Sequence, residues 1–478
     1  MTDSTLEDVD RIARAAQLAF AVTVRTDDRT RAAWMRAAAD ALDADAATLV
    51  ELAGRETALP EARLTGEVAR TTAQLRLFAS VVEEGSYLEA AIDHPNPSTT
   101  PPTPDLRRVL RPVGPVAVFA ASNFPFAFSV AGGDTASALA VGCPVVVKAH
   151  PGHPETSRRA AEVMTAALAS AGAPEGVFAM IEGFDAGLAL VDHPAIKAVG
   201  FTGSVRGGRA LFDRAAARPE PIPFYGELGS LNPVVVTPAA DAARGAALAE
   251  GLAGSFQLGA GQFCTKPGVV LVPEASALEA ALPQHLVPQP RLLTPSFADG
   301  FAAGSERVAG IEGVEIVATG AAGDGPATVV AATDAPTLVA HAEELLEEVF
   351  GPFTLLVRYR DEAERDAVID RMPGNLTATV HREADDDVAE LVARLEEIAG
   401  RVLFSGWPTG VAVAWAQQHG GPYPSATSPF TSVGATAVRR FQRPVAYQDA
   451  PADVLPPALH DDNPLGIPRR IDGRLLLP

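Results

Sequence analysis

The sequence predicts an α/β protein whose core is a mostly parallel sheet covered on both faces, and three observations carry that prediction. Short β-branched runs alternate with amphipathic helical stretches from Val113 to Ala217. The stretch before them, Leu6 to about Leu88, reads as helix, and after Phe224 a second strand-and-helix alternation begins. Strands separated by helices pair in parallel, because a crossover helix returns the chain to the same end of the sheet before the next strand starts.

At 478 residues the chain is long enough for two or three domains, and its 47% hydrophobic content is that of a globular protein. Its 59 acidic against 38 basic residues leave a formal net charge of -21, which repels phosphate backbones and anionic lipid, so neither nucleic acid nor membrane is expected as a partner. Two cysteines, Cys143 and Cys264, without a CxxC pair argue against a disulfide framework, and the nine histidines show no HExxH spacing, so no metal is expected. The start, MTDSTLEDVDR, is acidic and lacks the apolar core of a secretion signal, so the expected location is the cytoplasm, where thiols stay reduced. The apolar run Val113 to Gly133 is broken by Pro115, Asn123 and Pro125 and reads as a buried strand and turn rather than a membrane span.

Taken in order, Leu6 to Leu88 is Ala-rich, with apolar residues three and four apart and charges on the other face, which predicts two or three helices. Within it, Glu67 to Phe78 sets Arg70, Gln74 and Arg76 among apolar positions; they form either a solvated face or the mouth of a pocket. Asp93 to Pro104 is rich in Pro, Ser and Thr and predicts an extended excursion. VAVFA, the helical Gly132 to Val141 and PVVVKA then make a βαβ unit. The alternation runs on through HPETSRRAAEVMTAALASAG, where Pro154 suits a helix start and Gly172 its end, and through GVFAMIEG, AGLALVDH, IKAVGFTGS and VRGGRALFDRAAA. At FYGELGSLNPVVV the chain crosses into a second α/β domain, with a helix over Ala239 to Gln257 and a strand, VVLV, after the Cys264 turn.

Cys264 stands in SFQLGAGQFCTK behind Gly259, Gly261 and Gln262, a turn whose glycines let backbone approach a ligand closely. A thiol reacts as its thiolate, so a cysteine in an open turn near positive charge can act as a nucleophile. Three other motifs accompany it: Asn123 in ASNFPFAFS, Glu227 in GELGS, and Glu348 with Phe350 in EEVFGP. This set, in this order, resembles the aldehyde dehydrogenase superfamily over nearly the whole chain. SNFPFAFSVAGGDTASALAVGCPVVVKAHPGHPETS, GRALFDRAAARPEPIP, GQFCTKPG, HGGPYP and the helix LAGRETALPEARLTGEVARTTAQLRLFA are similar to the subgroup that holds bacterial 2-oxoglutarate semialdehyde dehydrogenases and a luminous-bacterium fatty aldehyde dehydrogenase.

The resemblance implies an aldehyde dehydrogenase-like fold: a Rossmann-like parallel-sheet cofactor domain (1–93 and 113–228), an α/β catalytic domain (229–428), a small β bridging and oligomerisation element (94–112 and 429–445) and a C-terminal tail (446–478). It implies that Cys264 attacks the aldehyde, that the Asn123 amide and the Cys264 N–H meet the resulting alkoxide, and that Glu227 activates water against the thioester. His419 in HGGPYP is implied to tune the thiol. Beside Gly226 and Leu228, Glu227 is expected to be desolvated and its pKa raised.

Lys148 is implied at the adenosine ribose or its phosphate, Gly203 and Ser204 at the pyrophosphate where a strand feeds a helix N-terminus, and Glu348 and Phe350 at the nicotinamide ribose and ring. No GxGxxG occurs. The cofactor is NADP or NAD, with a lean to NADP: Pro151 stands where many NAD-preferring relatives carry a glutamate, and His150 and His153 are near, whereas Asp185 argues the other way. The implied substrate is a small aldehyde acid, 2-oxoglutarate semialdehyde (2,5-dioxopentanoate) first, with Arg70 and Gln74 for its carboxylate and Phe124 and Phe126 along its channel. The alternatives are a fatty or aromatic aldehyde, for which an apolar channel suffices, and a catalytically silent structural homologue. Cys143 reads as buried packing. Edge strands of the bridging element imply a homodimer or homotetramer.

Overall fold

The computed structural model describes residues 3–478. Helices α1 (Leu6–Thr23), α2 (Asp28–Ala44), α3 (Ala46–Thr57) and α4 (Glu61–Glu84) lead the chain, one more than the upper expectation. Capping divides them. Thr5 forms a capping box with Asp8, Asp27 accepts from the Thr30 N–H, and Ala58 takes the left-handed conformation that ends α3 just before Pro60 opens α4.

Strands β3 (Val116–Phe119), β4 (Val145–Lys148), β5 (Phe178–Ile181), β6 (Ala198–Thr202) and β7 (Phe224–Glu227) form one parallel sheet in the order β5-β4-β3-β6-β7. The crossovers are α5 (Gly133–Ala140), α6 (Pro154–Ser170), α7 (Phe184–Asp192) and α8 (Val205–Ala216). Alternate residues serve opposite faces. Val116, Val118, Val145 and Val147 pack with Met35, Leu75 and Phe78 of α2 and α4, while Ala117, Val146 and Val199 pack with Leu190 and Leu211 of α7 and α8. Burial on both faces is why these strands read as unbroken apolar runs.

A second sheet of seven strands takes β8 (Val234–Val236), β9 (Val269–Pro273), β10 (Glu315–Thr319), β11 (Val329–Asp334), β12 (Phe353–Tyr359), β13 (Asn375–His381) and β14 (Ala399–Phe404), in the order β10-β11-β12-β9-β8-β13-β14. Only the β10–β11 pair is antiparallel. Helix α9 (Pro238–Phe256) covers one face, with Leu248, Leu252 and Phe256 against Val234, Val236 and Val270, and its C-terminus delivers the chain to Cys264.

The third sheet corrects the expected boundaries. It has five strands, in the order β15-β2-β1-β16-β17: β1 (Ala91–Asp93), β2 (Leu106–Pro112), β15 (Gln442–Gln448), β16 (Arg469–Ile471) and β17 (Arg474–Leu476). The chain beyond 446 is therefore no separate tail, because β16 pairs in parallel with β1 and β17 pairs with β16. Residues 429–441 lie outside this sheet, and Thr431 and Ser432 instead bond to His419 and Glu227. Among the described residues no helix is long and apolar enough to cross a membrane.

One close approach fixes how the HGG turn seats on β14. A Cβ at Gly400 would lie 1.9 Å from the Gly420 carbonyl oxygen, one residue past His419. Gly400→Ala is expected to destabilise the protein by about 1–3 kcal/mol through this overpacking, measured as a lower Tm by scanning calorimetry; an unchanged Tm would contradict this seating.

Candidate active site

In the first sheet the strand order reverses between β3 and β6, and loops that leave such a point in opposite directions open a crevice beyond the C-terminal strand ends. The loop after β3 carries Asn123, Gly203 and Ser204 follow β6, and Glu227 ends β7. Cys264 and His419 come to this crevice from the turn after α9 and from the loop after β14.

Three of the expected catalytic residues meet there. Nε2 of His419 lies 3.0 Å from Glu227 Oε1 and 3.7 Å from Cys264 Sγ, and Ser432 Oγ donates to Glu227 Oε2 at 2.9 Å. His419 and Glu227 are buried, with side chains 0% and 4% exposed, so this carboxylate is shielded from bulk solvent and depends on those donors. Burial pushes Glu227 up, but His419 beside it and the hydrogen bonds from His419, Ser432 and Cys264 more than offset this and hold it below the usual carboxylate value. That corrects the expectation of a raised carboxyl. The perturbed group is the thiol: burial, then the adjoining Glu227 carboxylate, push Cys264 well above its ordinary value, with the Arg70 guanidinium working the other way. The resting site is thus a neutral thiol beside a charged carboxylate, with an imidazole touching both. Ligand-capable atoms of all three residues lie within 4.8 Å of one another. A metal-bound imidazole donates its other N–H to an acceptor, and His419 Nδ1 has none among the described residues, so the group is read as proton-handling.

Asn123 is buried and its Nδ2 donates to the Gln262 carbonyl at 3.0 Å, which sets the amide beside the Cys264 turn with one N–H still free. The Cys264 backbone N–H has no acceptor among the described residues. Helix α4 holds this loop from behind. Arg63 donates to the Asn123 carbonyl at 2.6 Å, and Glu67 Oε1 accepts from the backbone N–H groups of Phe126 and Ala127 at 2.9 and 3.0 Å. Arg63, Glu67, Arg70 and Gln74 share one face of the helix, since their spacing is four, three and four residues.

The polar residues of α4 divide by exposure. Arg76 is solvated and pairs with Asp40 and Asp43, but Gln74 is buried and Arg70 half-buried. Arg70 Nη2 and Gln74 Nε2 have no hydrogen-bond partner among the described residues. The Arg70 guanidinium sits 5.2 Å over the Phe128 ring, which is 6.1 Å from the His419 ring, and Phe124 packs edge-on between Phe128 and Phe263 at 5.3 and 5.1 Å. Phe126, expected along the same channel, belongs instead to the core with Phe78 and Val118.

The residues expected to hold a cofactor are open to the crevice or border it. Gly203 and Ser204 are exposed, and Ser204 caps α8 by accepting from the Gly207 N–H at 3.2 Å. A Cβ at Gly203 would meet the Phe201 ring at 2.7 Å, so the bare backbone is required. Lys148 ends β4; burial pushes its ammonium down, and Asp3 and Glu182 oppose this. Glu348 lies in irregular chain rather than on a helix, with its carboxylate 3.2 Å from where a Gly229 Cβ would be, and Phe350 packs edge-on to Phe297 at 5.4 Å. These groups fit a dinucleotide: a helix N-terminus preceded by a glycine for a pyrophosphate, a lysine at the end of β4, two strands away, and a carboxylate across the crevice for ribose hydroxyls. His150 and His153 do not serve it. Burial pushes His150 down to about 3, and His153 is buried against Ser157 and the Ala121 carbonyl.

The sequence reading missed Arg63 and Glu67, whose helical spacing with Arg70 was the available signal. It also missed Ser432, which had none, and Arg401 of β14, which bonds to the Pro408 and Gly410 carbonyls.

A thiol, a proton-accepting pair and amide donors converging outside a parallel sheet define a cysteine-dependent oxidoreductase acting on a carbonyl carbon. The particular family follows from comparison: residues 1–286 match the aldehyde dehydrogenase family, and this chain belongs to it. It is 48% identical to alpha-ketoglutaric semialdehyde dehydrogenase 2 of Azospirillum brasilense, over 98% of this chain and 91% of that protein. It is 42% identical to alpha-ketoglutaric semialdehyde dehydrogenase of Acinetobacter baylyi, over 99% and 92%. Among solved structures, bifunctional proline utilization A superposes with a TM-score of 0.79 at 25% identity; 94% of this chain matches, and it spans 45% of that longer one. The protein is therefore an oxidoreductase that converts aldehydes to carboxylic acids.

Because the thiol is held protonated beyond its ordinary value of 9, the thiolate fraction of the free enzyme keeps rising through that pH. Alkylation of Cys264 by iodoacetamide should climb through pH 9; a plateau below about pH 8 would contradict the arrangement.

Proposed function

We propose that the protein oxidises 2-oxoglutarate semialdehyde to 2-oxoglutarate with a nicotinamide cofactor. The observation that carries the substrate class is the Arg70 guanidinium, whose charge acts on the Cys264 thiol and whose Nη2 has no partner among the described residues; Gln74 Nε2, one helical turn on, is likewise unpartnered. A buried guanidinium nitrogen without an acceptor is costly, and a substrate carboxylate would satisfy it. The two curated relatives, which carry this substrate in their names, support the same choice.

In the reaction, the proton leaving Cys264 Sγ passes to the His419–Glu227 pair, and the sulfur adds to the aldehyde carbon. The alkoxide of the thiohemiacetal is met by Asn123 Nδ2 and the Cys264 N–H, each worth roughly 3–4 kcal/mol in such a role. Hydride acceptance is the chemistry a bound nicotinamide supplies, and Lys148, Gly203, Ser204, Glu348 and Phe350 are the residues that would hold it. Once the pair has released the thiol's proton to solvent, Glu227 takes a proton from water as it adds to the thioester, and the sulfur leaves and is reprotonated from Glu227 to regenerate the thiol. The sum is aldehyde, water and oxidised cofactor giving carboxylic acid, reduced cofactor and a proton.

The lean toward NADP rests on Pro151 alone once the two histidines are buried and neutral. We read the protein as a cytoplasmic homodimer or homotetramer: both cysteines are free thiols, and the exposed Phe404 on edge strand β14 and Leu475 and Leu476 on β17 are surfaces for a second copy.

A kinetic panel of semialdehydes and alkanals with both cofactors tests the reading, with Cys264→Ala as the blank. Arg70→Ala should lower kcat/KM for the semialdehyde about 10- to 100-fold, the loss of one charge-assisted contact, and change an alkanal little. Equal loss on both substrates, or a preference for alkanals in the wild type, would favour a fatty aldehyde instead. Pro151→Glu should shift the NAD-to-NADP ratio of kcat/KM toward NAD by about tenfold, through repulsion of the 2′-phosphate; an unchanged ratio would mean position 151 does not face that phosphate.

A further inference from the structure

Lys266, two residues past the nucleophile, is an unusual side chain to bury. It is 2% exposed, and its Nζ lies on no carboxylate but donates to the Val349 and Phe353 carbonyls, each at 2.9 Å. Glu348 is the acid whose charge faces it; burial pushes the lysine down and the glutamate up, and each partly offsets the other. A leucine or methionine would fill this space without the cost of desolvating an ammonium. The two carbonyls flank the turn that follows Glu348 and contains Phe350, so the ammonium spans that turn and ties it to the chain of the nucleophile.

Both ends of this tie are rigid. Asn232, buried and in the left-handed conformation at φ 51°, donates its amide to the carbonyls of Cys264 and Lys266, each at 2.9 Å, so the backbone between sulfur and lysine is clamped from the other side. The same two turns also touch directly: a Cβ at Gly261 would lie 2.1 Å from the Gly351 carbonyl oxygen. Removing the ammonium therefore takes two hydrogen bonds from the Glu348–Phe353 turn, loosening it, and leaves the sulfur where Asn232 holds it.

We propose that Lys266 is a positioning residue for the oxidation, setting Glu348 and Phe350 at a fixed distance from the Cys264 sulfur and so placing the nicotinamide end of the cofactor without touching substrate. This rests on the reading above that Glu348 and Phe350 hold the cofactor. It predicts an effect confined to the cofactor side of the kinetics.

The test compares full-length wild type, Lys266→Met and Lys266→Gln by steady-state kinetics, by titration with reduced nicotinamide cofactor followed by fluorescence, and by iodoacetamide alkylation of Cys264. In the variants cofactor KM and the Kd of the reduced cofactor should rise about tenfold, with aldehyde KM within about twofold and alkylation at the wild-type rate. Combining Lys266→Met with Glu348→Gln should raise cofactor KM by less than the product of the single effects, because both act through one turn. Wild-type cofactor affinity in both variants would overturn the inference, as would a parallel loss of cofactor affinity, aldehyde KM and alkylation rate. A wild type that binds no nicotinamide cofactor would instead overturn the reading on which the inference rests.

Discussion

The His419 imidazole, in contact with both the Glu227 carboxylate and the Cys264 sulfur, is the arrangement on which the rest of the site depends. A buried carboxylate and a buried thiol would each be poor at its task alone. The carboxylate would be driven neutral by desolvation, and the thiol would have nowhere to send its proton. Together they set the charges of the site, since the imidazole and Ser432 hold Glu227 charged, and burial together with the charged Glu227 holds the sulfur protonated. The three side chains come from different parts of the chain: the end of β7, the turn after α9 and the HGG turn seated on β14. The pair forms only when both large sheets are complete.

Helix α4 links stability to chemistry. One side of it, with Leu75, Phe78 and Val82, builds the core under the first sheet. The adjoining stripe carries Arg63, Glu67, Arg70 and Gln74: Arg63 and Glu67 grip the Asn123 loop through its backbone, Arg70 stacks over Phe128, and Arg70 Nη2 and Gln74 Nε2 have no partner among the described residues. Placing these groups on a helix locked by packing gives the oxyanion donor a fixed position. A flexible loop would have to find that position in every turnover.

How legible this was from sequence varied with the range of the interaction. Runs such as VVVK and AVGFT announce buried parallel strands by themselves, because burial on both faces leaves no polar alternation to confuse them. Cys264, Asn123 and Glu227 stood out through short motifs, and the structure brings all three into one crevice. What depended on distant partners was not legible. The direction in which Glu227 shifts is set by His419, 192 positions along the chain. Strands β16 and β17, three residues each, carry no pattern of their own and exist because β1 offers an edge. His150 and His153 looked like phosphate contacts by proximity to Lys148, but His153 turns inward onto the Ala121 carbonyl and His150 is held uncharged, accepting from the Gly152 N–H.

The central question is whether Glu227, the carboxylate beside the sulfur, also activates water against the acyl group that the sulfur carries. The most direct measurement is intact-protein mass spectrometry, with peptide mapping, of Glu227→Gln after brief exposure to 2-oxoglutarate semialdehyde and oxidised cofactor. The account predicts a single acyl group accumulating on Cys264, with about one equivalent of reduced cofactor formed per active site and slow turnover thereafter. Sustained turnover with no adduct, or an adduct on any residue other than Cys264, would contradict it.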